Sequence, residues 1–453
     1  MQPQPKNIFD VFSLFKTPSG ISFLLLIVVL HVAFFIYAIN TNHIYLAVDS
    51  TEYLNQAKNI FEHGSWYAGD WSKTHEAFLE TRRPPLYALF LSFLRFFSAS
   101  DFFVLIIQNM LSIFSICMCV CIIQMLIEEK VNLFFVFALL LFFPTQVIYA
   151  NMIMADVLFQ FLLVMSIYFF TGFVKKKSPM QFLLCNVFLS FAILTKPVLY
   201  WFWIFVFLLA LLLWSKNQLR VLHVSYSLLP LMVVLIISFF NYKNTGYFHY
   251  SSVNQKFISE YGAYLAVGQR GDSTAQRTID SVLTIAHSKP TFKEYAEFLN
   301  TQSTELIKNN LSGFLWMQAK GMIQFFIDHG RWDLFAFFVK PDFYQEKGTS
   351  YYFEHNGLKG VVEYILSFNL FLTLYLLLIT ATNCFLLFCF FRFIVNQKIN
   401  IPVRLFIFCL VTYLVLFTSV VGCSRYRMAV YPILLISSIA FYKTEGTNKE
   451  SAS

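Results

Sequence analysis

About ten stretches of the chain lack the polar face that a helix on a soluble core would carry, and each is roughly long enough to cross a hydrocarbon layer of about 30 Å. They are Ile21 to Ile39, Phe102 to Ile127, Val131 to Ile148, Val157 to Val174, Phe182 to Thr195, Val198 to Trp214, Val221 to Phe240, Val361 to Phe391, Phe406 to Val421 and Met428 to Tyr442. The pattern predicts an all-α polytopic membrane protein, because only helices or closed barrels satisfy their own backbone groups in lipid. Pro85 to Phe97 is apolar too, but its roughly 13 residues fall short of a span, so it is expected to lie in the membrane interface. The segment before Ile21 has no small-residue cleavage pattern, and the first span is expected to be retained as an anchor.

Between the seventh and eighth stretches, the pattern changes to that of an ordinary soluble sequence, from Asn241 to about Gly360. A connection of that length needs structure or a task of its own. Within it, Phe292, Tyr295, Phe298, Leu299 and Leu306 recur at helical spacing and predict an amphipathic helix over Thr291 to Asn309. Leu311 to Phe326 is apolar with Lys320 and Gln324 embedded, and is expected to lie along the surface. The chain thus divides into a first membrane module (1–240, with a polar loop at 40–85), an external segment (241–360) and a last group of membrane helices with a short tail (361–453). No internal repeat or low-complexity segment is present.

Composition agrees with this division. Hydrophobic residues make up 58% of the 453 and charged residues 13%, with a mean hydropathy of +0.62, which excludes a soluble domain. Orientation follows from the basic residues. Lys6, Lys16, Lys130, Lys175, Lys176, Lys177, Lys216, Arg220, Arg392, Lys398 and Arg404 all flank ends that one topology makes cytoplasmic. That topology rests on these basic residues alone, yet it gathers the remaining polar clusters on the other face: Asp49 to Pro85, Asn151 to Asp156, Lys196-Pro197 and Ser424 to Arg427. Carboxylates and cations collected there, against the positive-inside trend, predict an anion-handling pocket.

Other chemistries find little support. The net charge of +8 is dispersed over both faces and forms no basic stripe, so no nucleic-acid partner is expected; anionic membrane lipids account for it better. The eight cysteines lack paired CxxC spacing, and the nine histidines form no HExxH pair. His31, inside the first span, is expected to be a packed histidine. There is no P-loop, dinucleotide fingerprint or GxSxG, and the scattered glycines from Gly262 to Gly271 follow no predicted strand. No cofactor is expected; Asp49 and Asp156 could share a divalent cation, but nothing requires one.

The remaining motifs follow an order. Asp49 with Tyr53 opens the first loop, Arg82-Arg83-Pro84-Pro85-Leu86-Tyr87 closes it, Asp156 heads a later span, Thr195-Lys196-Pro197 ends another, and Arg425-Tyr426-Arg427 precedes Pro432. This order, with Asn241 to Phe248 leaving the seventh span, resembles the GT-C superfamily of membrane glycosyltransferases. It is most similar to the branch that holds bacterial lipid A aminoarabinose transferases and protein O-mannosyltransferases.

The resemblance implies transfer of a hexosyl or pentosyl group from a polyprenyl-phosphate donor, of the undecaprenyl type, to a glycan, lipid or protein acceptor. Asp49 matches the base or acceptor-orienting carboxylate and Asp156 a second carboxylate on the same cavity. Arg83 matches a contact to the lipid phosphate, with Arg82, Lys196, Arg425 and Arg427 as further candidates, and Tyr53, Glu80 and Tyr87 as candidate pocket residues. Two departures bear on the acceptor: Ser50 follows Asp49 where many relatives carry Glu, and Arg82 stands where an acidic residue often precedes the basic-Pro pair, with Glu80 nearby. The implied location is a bacterial inner membrane, with the site facing away from the cytoplasm.

The chemistry is consistent with that assignment. A sugar on a prenyl phosphate already has a good leaving group, so cations that hold the departing phosphate suffice, and arginine does so bidentately. One carboxylate then takes the proton of the attacking acceptor, and a single displacement inverts the anomeric centre. The plainer alternative for Arg82, Arg425 and Arg427 is anchoring to lipid headgroups, and for Tyr53 and Tyr87 an interfacial belt. A secondary transporter or flippase would lead one to expect repeated halves and broken helices. An O-antigen polymerase or ligase would leave the early Asp49 loop without a purpose.

Overall fold

The computed structural model describes residues 13–45, 47–127, 131–253, 272–339, 349–419 and 422–438, which are helical without a strand. From the N-terminus come α1 (Pro18–Thr41), α2 (Ala47–His63), α3 (Pro85–Arg95) and α4 (Asp101–Leu126). Next are α5 (Leu133–Leu141), α6 (Thr145–Ala150), the antiparallel pair α7 (Asp156–Lys176) and α8 (Pro179–Thr195), α9 (Trp203–Ser215) and α10 (Val221–Thr245). The remainder comprises α11 (Asp272–His287), α12 (Phe292–Asn309), α13 (Leu311–Ile327), α14 (Arg331–Phe338), α15 (Thr349–Leu366), α16 (Leu370–Val395), α17 (Ile401–Thr418) and the single turn α18 (Ser424–Arg427).

Among the described residues, six helices are long and apolar enough to cross a membrane: α1, α4, α7, α10, α16 and α17. The chain is therefore an α-helical polytopic membrane protein by the length and composition of its helices, with fewer long spans than the ten or so that the hydrophobic pattern suggests. The differences have local causes. Val131 to Ile148 is interrupted at Pro144, which has no amide hydrogen to donate, and the nine residues of α5 cover only about 14 Å. α8 and α9 are apolar but have 17 and 13 residues, about 26 and 20 Å. The run from Val361 to Phe391 breaks where Asn369 accepts the Phe371 amide at 2.8 Å, so the long helix starts at Leu370.

Pro85–Arg95 forms the short helix expected in the interface, with prolines before and at its start. The amphipathic helix expected over Thr291 to Asn309 is α12, capped by Thr291, whose hydroxyl accepts the Glu294 amide. The polar loop after the first span is less irregular than its composition suggests, because it opens with the 17 residues of α2. Lys6, Lys130, the glycines from 262 to 271 and the end of the last apolar stretch beyond 438 lie outside the described residues.

Packing centres on α7, which is enclosed along most of its length by α4 and α8, whereas α1 and α10 leave broad apolar faces uncovered. A chain of buried polar side chains ties the bundle together. His31 on α1 bonds Ser112 on α4 at 2.9 Å, Gln146 on α6 donates to the same Ser112, and Gln146 and Gln160 on α7 bond each other. Gln160 then donates to the Met428 carbonyl at 2.7 Å. Such bonds between helices hold membrane bundles where the hydrophobic effect between helices is absent. At one point backbones meet: a Cβ on Gly321 of α13 would lie 1.8 Å from the Ser419 carbonyl oxygen, so only glycine lets α13 cross the end of α17 there.

Helix ends sort the ionisable groups into two layers. Asp49, Arg83, Asp156, Lys196 and Arg425 lie at or beside the starts of α2, α3 and α7 and the ends of α8 and α17. Lys177, Lys216, Arg392, Lys398 and Arg404 occupy the opposite ends of α7, α9, α16 and α17. α9 packs antiparallel on α17, with Leu212 and Leu405 lining the same groove and the Phe205 ring 6.0 Å from that of Tyr413, and connects the two layers.

Candidate functional site

α2 presents Asp49, Glu52, Tyr53 and Gln56 at i, i+3, i+4 and i+7, and so on one face. Its other side is tied down by Ser50, whose hydroxyl donates to the Ile153 carbonyl at 2.9 Å. That fixes the start of α2 against the turn that leads into Asp156. Ser50 therefore has a structural task at the position where the resemblance leads one to expect Glu.

Pro84 and Pro85 launch α3 and hold Arg83 across the face of α2. Arg83 pairs with Asp49 Oδ1 through Nη2 and lies 2.6 Å from Glu52 Oε2 through Nε, with its guanidinium 4.8 Å above the Tyr53 ring. Arg82 reaches the same Glu52 oxygen at 2.7 Å. From the other end of the chain, Arg425 Nη2 stands 2.8 Å from Asp49 Oδ2 and 3.5 Å from Asp156 Oδ2. Lys196 Nζ closes the row at 2.6 Å from Asp156 Oδ1.

The result is an alternating line of charges: Arg82, Glu52, Arg83, Asp49, Arg425, Asp156, Lys196. Cations stand at both ends and outnumber carboxylates by one. Each helix dipole adds to the arrangement, with Asp156 in the first turn of α7 and Lys196 at the end of α8. Burial by itself would raise the Asp49 carboxyl, but the Arg425 and Arg83 guanidiniums outweigh it and hold the group well below the usual carboxylate range. The line is not saturated: Arg82 Nη1 and Arg425 Nε are buried donors without an acceptor, and Asp156 Oδ2 has no hydrogen-bond donor. Unpaired donors of this kind can take up an anionic ligand.

Arg83 lines a cavity of about 370 Å3 together with the polar side chains of Gln56, Glu80, Thr81 and Asn241 and the apolar α10 side chains Val233, Ile236 and Phe240. A ligand with a charged head and an apolar tail matches that polarity.

Three candidates from the sequence stand outside the charge line. Arg427 turns away from the line and donates to the Phe325, Phe326 and Asp328 carbonyls at 3.0, 2.9 and 2.6 Å, capping the end of α13. Residues two apart on a helix point to nearly opposite sides, which separates it from Arg425. Glu80 pairs with His75 at 3.3 Å and borders the cavity without joining the line. Tyr87 is buried behind Tyr53, edge to face at 4.8 Å, and donates to Gln108 Oε1. Of the remaining candidates, Asp49, Asp156, Arg82, Arg83, Lys196 and Arg425 are brought together, with Tyr53 beneath Arg83.

Sequence reasoning passed over Glu52, although its spacing from Asp49 on a helix is the signal that finds it. It also passed over Tyr149 and Tyr426, whose rings flank Arg425 at 5.8 and 6.0 Å. Asp333 on α14 was missed as well; it accepts hydroxyls from Thr145, Tyr149 and Ser424 and so braces the turn that carries Arg425. Among the described residues no group of three or more His, Cys, Asp or Glu is placed to hold a metal ion. Between Asp49 and Asp156, where a shared divalent cation would stand, lies the Arg425 guanidinium. No family model matches the chain, and no curated protein matches its sequence.

Proposed function

We propose that the protein is a glycosyltransferase that moves a sugar from a polyprenyl-phosphate donor to an acceptor at the membrane face where the charge line lies, with inversion at the anomeric carbon. The observation that carries this reading is the convergence of Asp49, Arg83 and Arg425 in one line of charges, of which Arg83 also lines a largely apolar cavity. The order of motifs that resembles the GT-C superfamily supports it from the side of the sequence.

In this reading the donor phosphate engages Arg83 and Arg425, and its prenyl chain follows the α10 wall. The two arginines then share their charge between phosphate and Asp49, and the carboxylate becomes a better base than it is in the resting protein. The acceptor hydroxyl or amine attacks the anomeric carbon, the bond from that carbon to the phosphate oxygen breaks, and prenyl phosphate leaves with the electron pair. Arg83, Arg425 and Lys196 stabilise its negative charge, each charge-assisted bond contributing about 1.5–3 kcal/mol. Asp49 takes the acceptor proton. Asp156 holds Lys196 and Arg425 in place.

The test is transfer from a polyprenyl-phosphate sugar by the purified protein in vesicles, comparing Asp49→Asn with the parent chain. Turnover should fall by about a hundredfold or more; full turnover by the variant would remove Asp49 from the reaction. The helix broken at Pro144 is a feature that favours transport instead. Uptake of a free or lipid-linked solute by reconstituted protein, with no transfer, would establish that second reading.

A further inference from the structure

At the end of the bundle opposite the charge line lies a second cavity, of about 660 Å3, where the end of α9 meets the turn between α16 and α17. Among the described residues that line it, three are cations, Lys216, Lys398 and Arg404, and none is a carboxylate. Lys177, 3.2 Å from the Gln218 side-chain oxygen, adds a fourth positive charge at the rim. Arg404 Nη1 donates to the Ile394 carbonyl at 2.7 Å, which pins the guanidinium against the end of α16 and leaves its Nε buried without an acceptor. The start of α17 also opens into the cavity through Asn400 and Ile401, and Asn400 makes no side-chain cap. Positive charge, a buried unpaired donor and a helix start all favour an anion here.

What kind of anion is decided by the neighbouring groove. A cavity of about 220 Å3 runs between α9 and α17, lined only by apolar side chains such as Leu208, Leu209, Phe406 and Cys409. It shares Leu212 and Leu405 with the basic cavity, so the two adjoin at these side chains. Together they follow α9 over its 13 residues, about 20 Å, close to the depth of one bilayer leaflet. A soluble phosphate would use only the basic half. A phosphate carried on a hydrocarbon chain would use both.

We propose that this is a binding site for an anionic phospholipid, with the phosphate among Lys216, Lys398 and Arg404 and one acyl chain in the α9–α17 groove. Basic pockets between membrane helices on the side rich in lysine and arginine are where anionic headgroups collect. The site is independent of the reaction proposed above. Its structural consequence is that a lipid seated between α9 and α17 stiffens two helices whose far ends lead to Lys196 and Arg425.

The experiment uses the full chain, delipidated in a neutral detergent, with thermal unfolding followed as phosphatidylglycerol, phosphatidylcholine or inorganic phosphate is added. Phosphatidylglycerol should raise the unfolding temperature, and the other two should not. Lys216→Gln and Lys398→Gln should each weaken the apparent affinity about fivefold, and together about twenty-five-fold. Lys293→Gln, an exposed change on α12, should leave it unaltered. Equal protection by phosphatidylcholine, equal protection by phosphate alone, an unchanged response in the double variant, or an equal loss in Lys293→Gln would each overturn the assignment.

Discussion

The Asp49 carboxylate meets the Arg425 guanidinium at 2.8 Å, joining the first turn of α2 to the one-turn helix α18 near the far end of the described chain. Neither residue has a comparable partner on its own helix. The pair therefore forms only when the last helices dock on the first module, and the charge line reports complete assembly of the bundle. Because Arg83 holds the other oxygen of the same carboxylate, any anion that draws either arginine away changes the basicity of Asp49.

That coupling predicts a difference between two pH profiles. In the free protein the two arginines keep Asp49 ionised far into acid, so the acidic limb of kcat/KM should lie below the ordinary carboxylate range. With donor phosphate bound, the arginines are shared and the Asp49 affinity for a proton rises toward normal. The acidic limb of kcat, which reports the complex, should therefore lie at higher pH than that of kcat/KM. Coincident limbs would show that the phosphate does not engage Arg83 and Arg425.

Glu52 should prove as indispensable as the residues that face the cavity. It is the single carboxylate between Arg82 and Arg83, with only 8% of its side chain exposed. Glu52→Gln removes the carboxylate partner of Arg82 and one of the two that hold Arg83, which costs about 3–5 kcal/mol. The expected result is a lowered unfolding temperature in detergent together with reduced transfer. Glu52→Asp, which restores the charge, should recover a large part of both. Wild-type stability in Glu52→Gln would show that the Arg82 and Arg83 pairs contribute nothing net.

The two arginines of the Arg-Tyr-Arg motif should separate cleanly by assay. Arg425→Ala removes a group from the charge line, so transfer should fall at least a hundredfold with the donor affinity weakened as well. Arg427→Ala strips three carbonyls at the end of α13 of their donor, and should cost about 3 kcal/mol or more of stability. Protein of that variant that remains folded should keep its pH profile. Loss of activity without loss of stability in Arg427→Ala would place Arg427 back among the phosphate contacts.

How far the site could be read from the sequence differs residue by residue. Asp49, Arg83, Asp156, Lys196 and Arg425 were legible because charge at the end of an apolar run is costly unless it is paired, and the positive-inside pattern put these ends on one face. Glu52 was hidden because 47–63 is too polar to be recognised as a helix by its hydrophobic pattern, and without the helix its alignment with Asp49 is invisible. Arg427 shares a motif with Arg425, but its direction depends on where α13 ends, a tertiary fact. The same holds for span lengths. An apolar run fixes what lipid tolerates, while Pro144 and Asn369, one lacking a donor and one supplying a cap, decide where the helix actually breaks.

Asp333 gives the protein a stability dependence on pH whose sign is opposite to that of Asp49. Burial pushes its carboxyl up from 3.8 to about 6, against the hydroxyls of Ser424, Tyr149 and Thr145 that donate to it. Between those two values the folded state binds more protons than the unfolded one, so stability is fully present below about pH 4 and declines as the pH rises toward 6. A shift of that size corresponds to about 3 kcal/mol. Asp49, whose carboxyl is depressed, contributes stability above its unfolded value and loses it only in stronger acid. Unfolding temperatures measured in detergent across this window should fall for the parent chain and stay level for Asp333→Asn, which keeps an acceptor for the hydroxyls but cannot titrate. Parallel slopes in the two proteins would show that Asp333 is ionised throughout and that its three hydroxyl donors outweigh its burial.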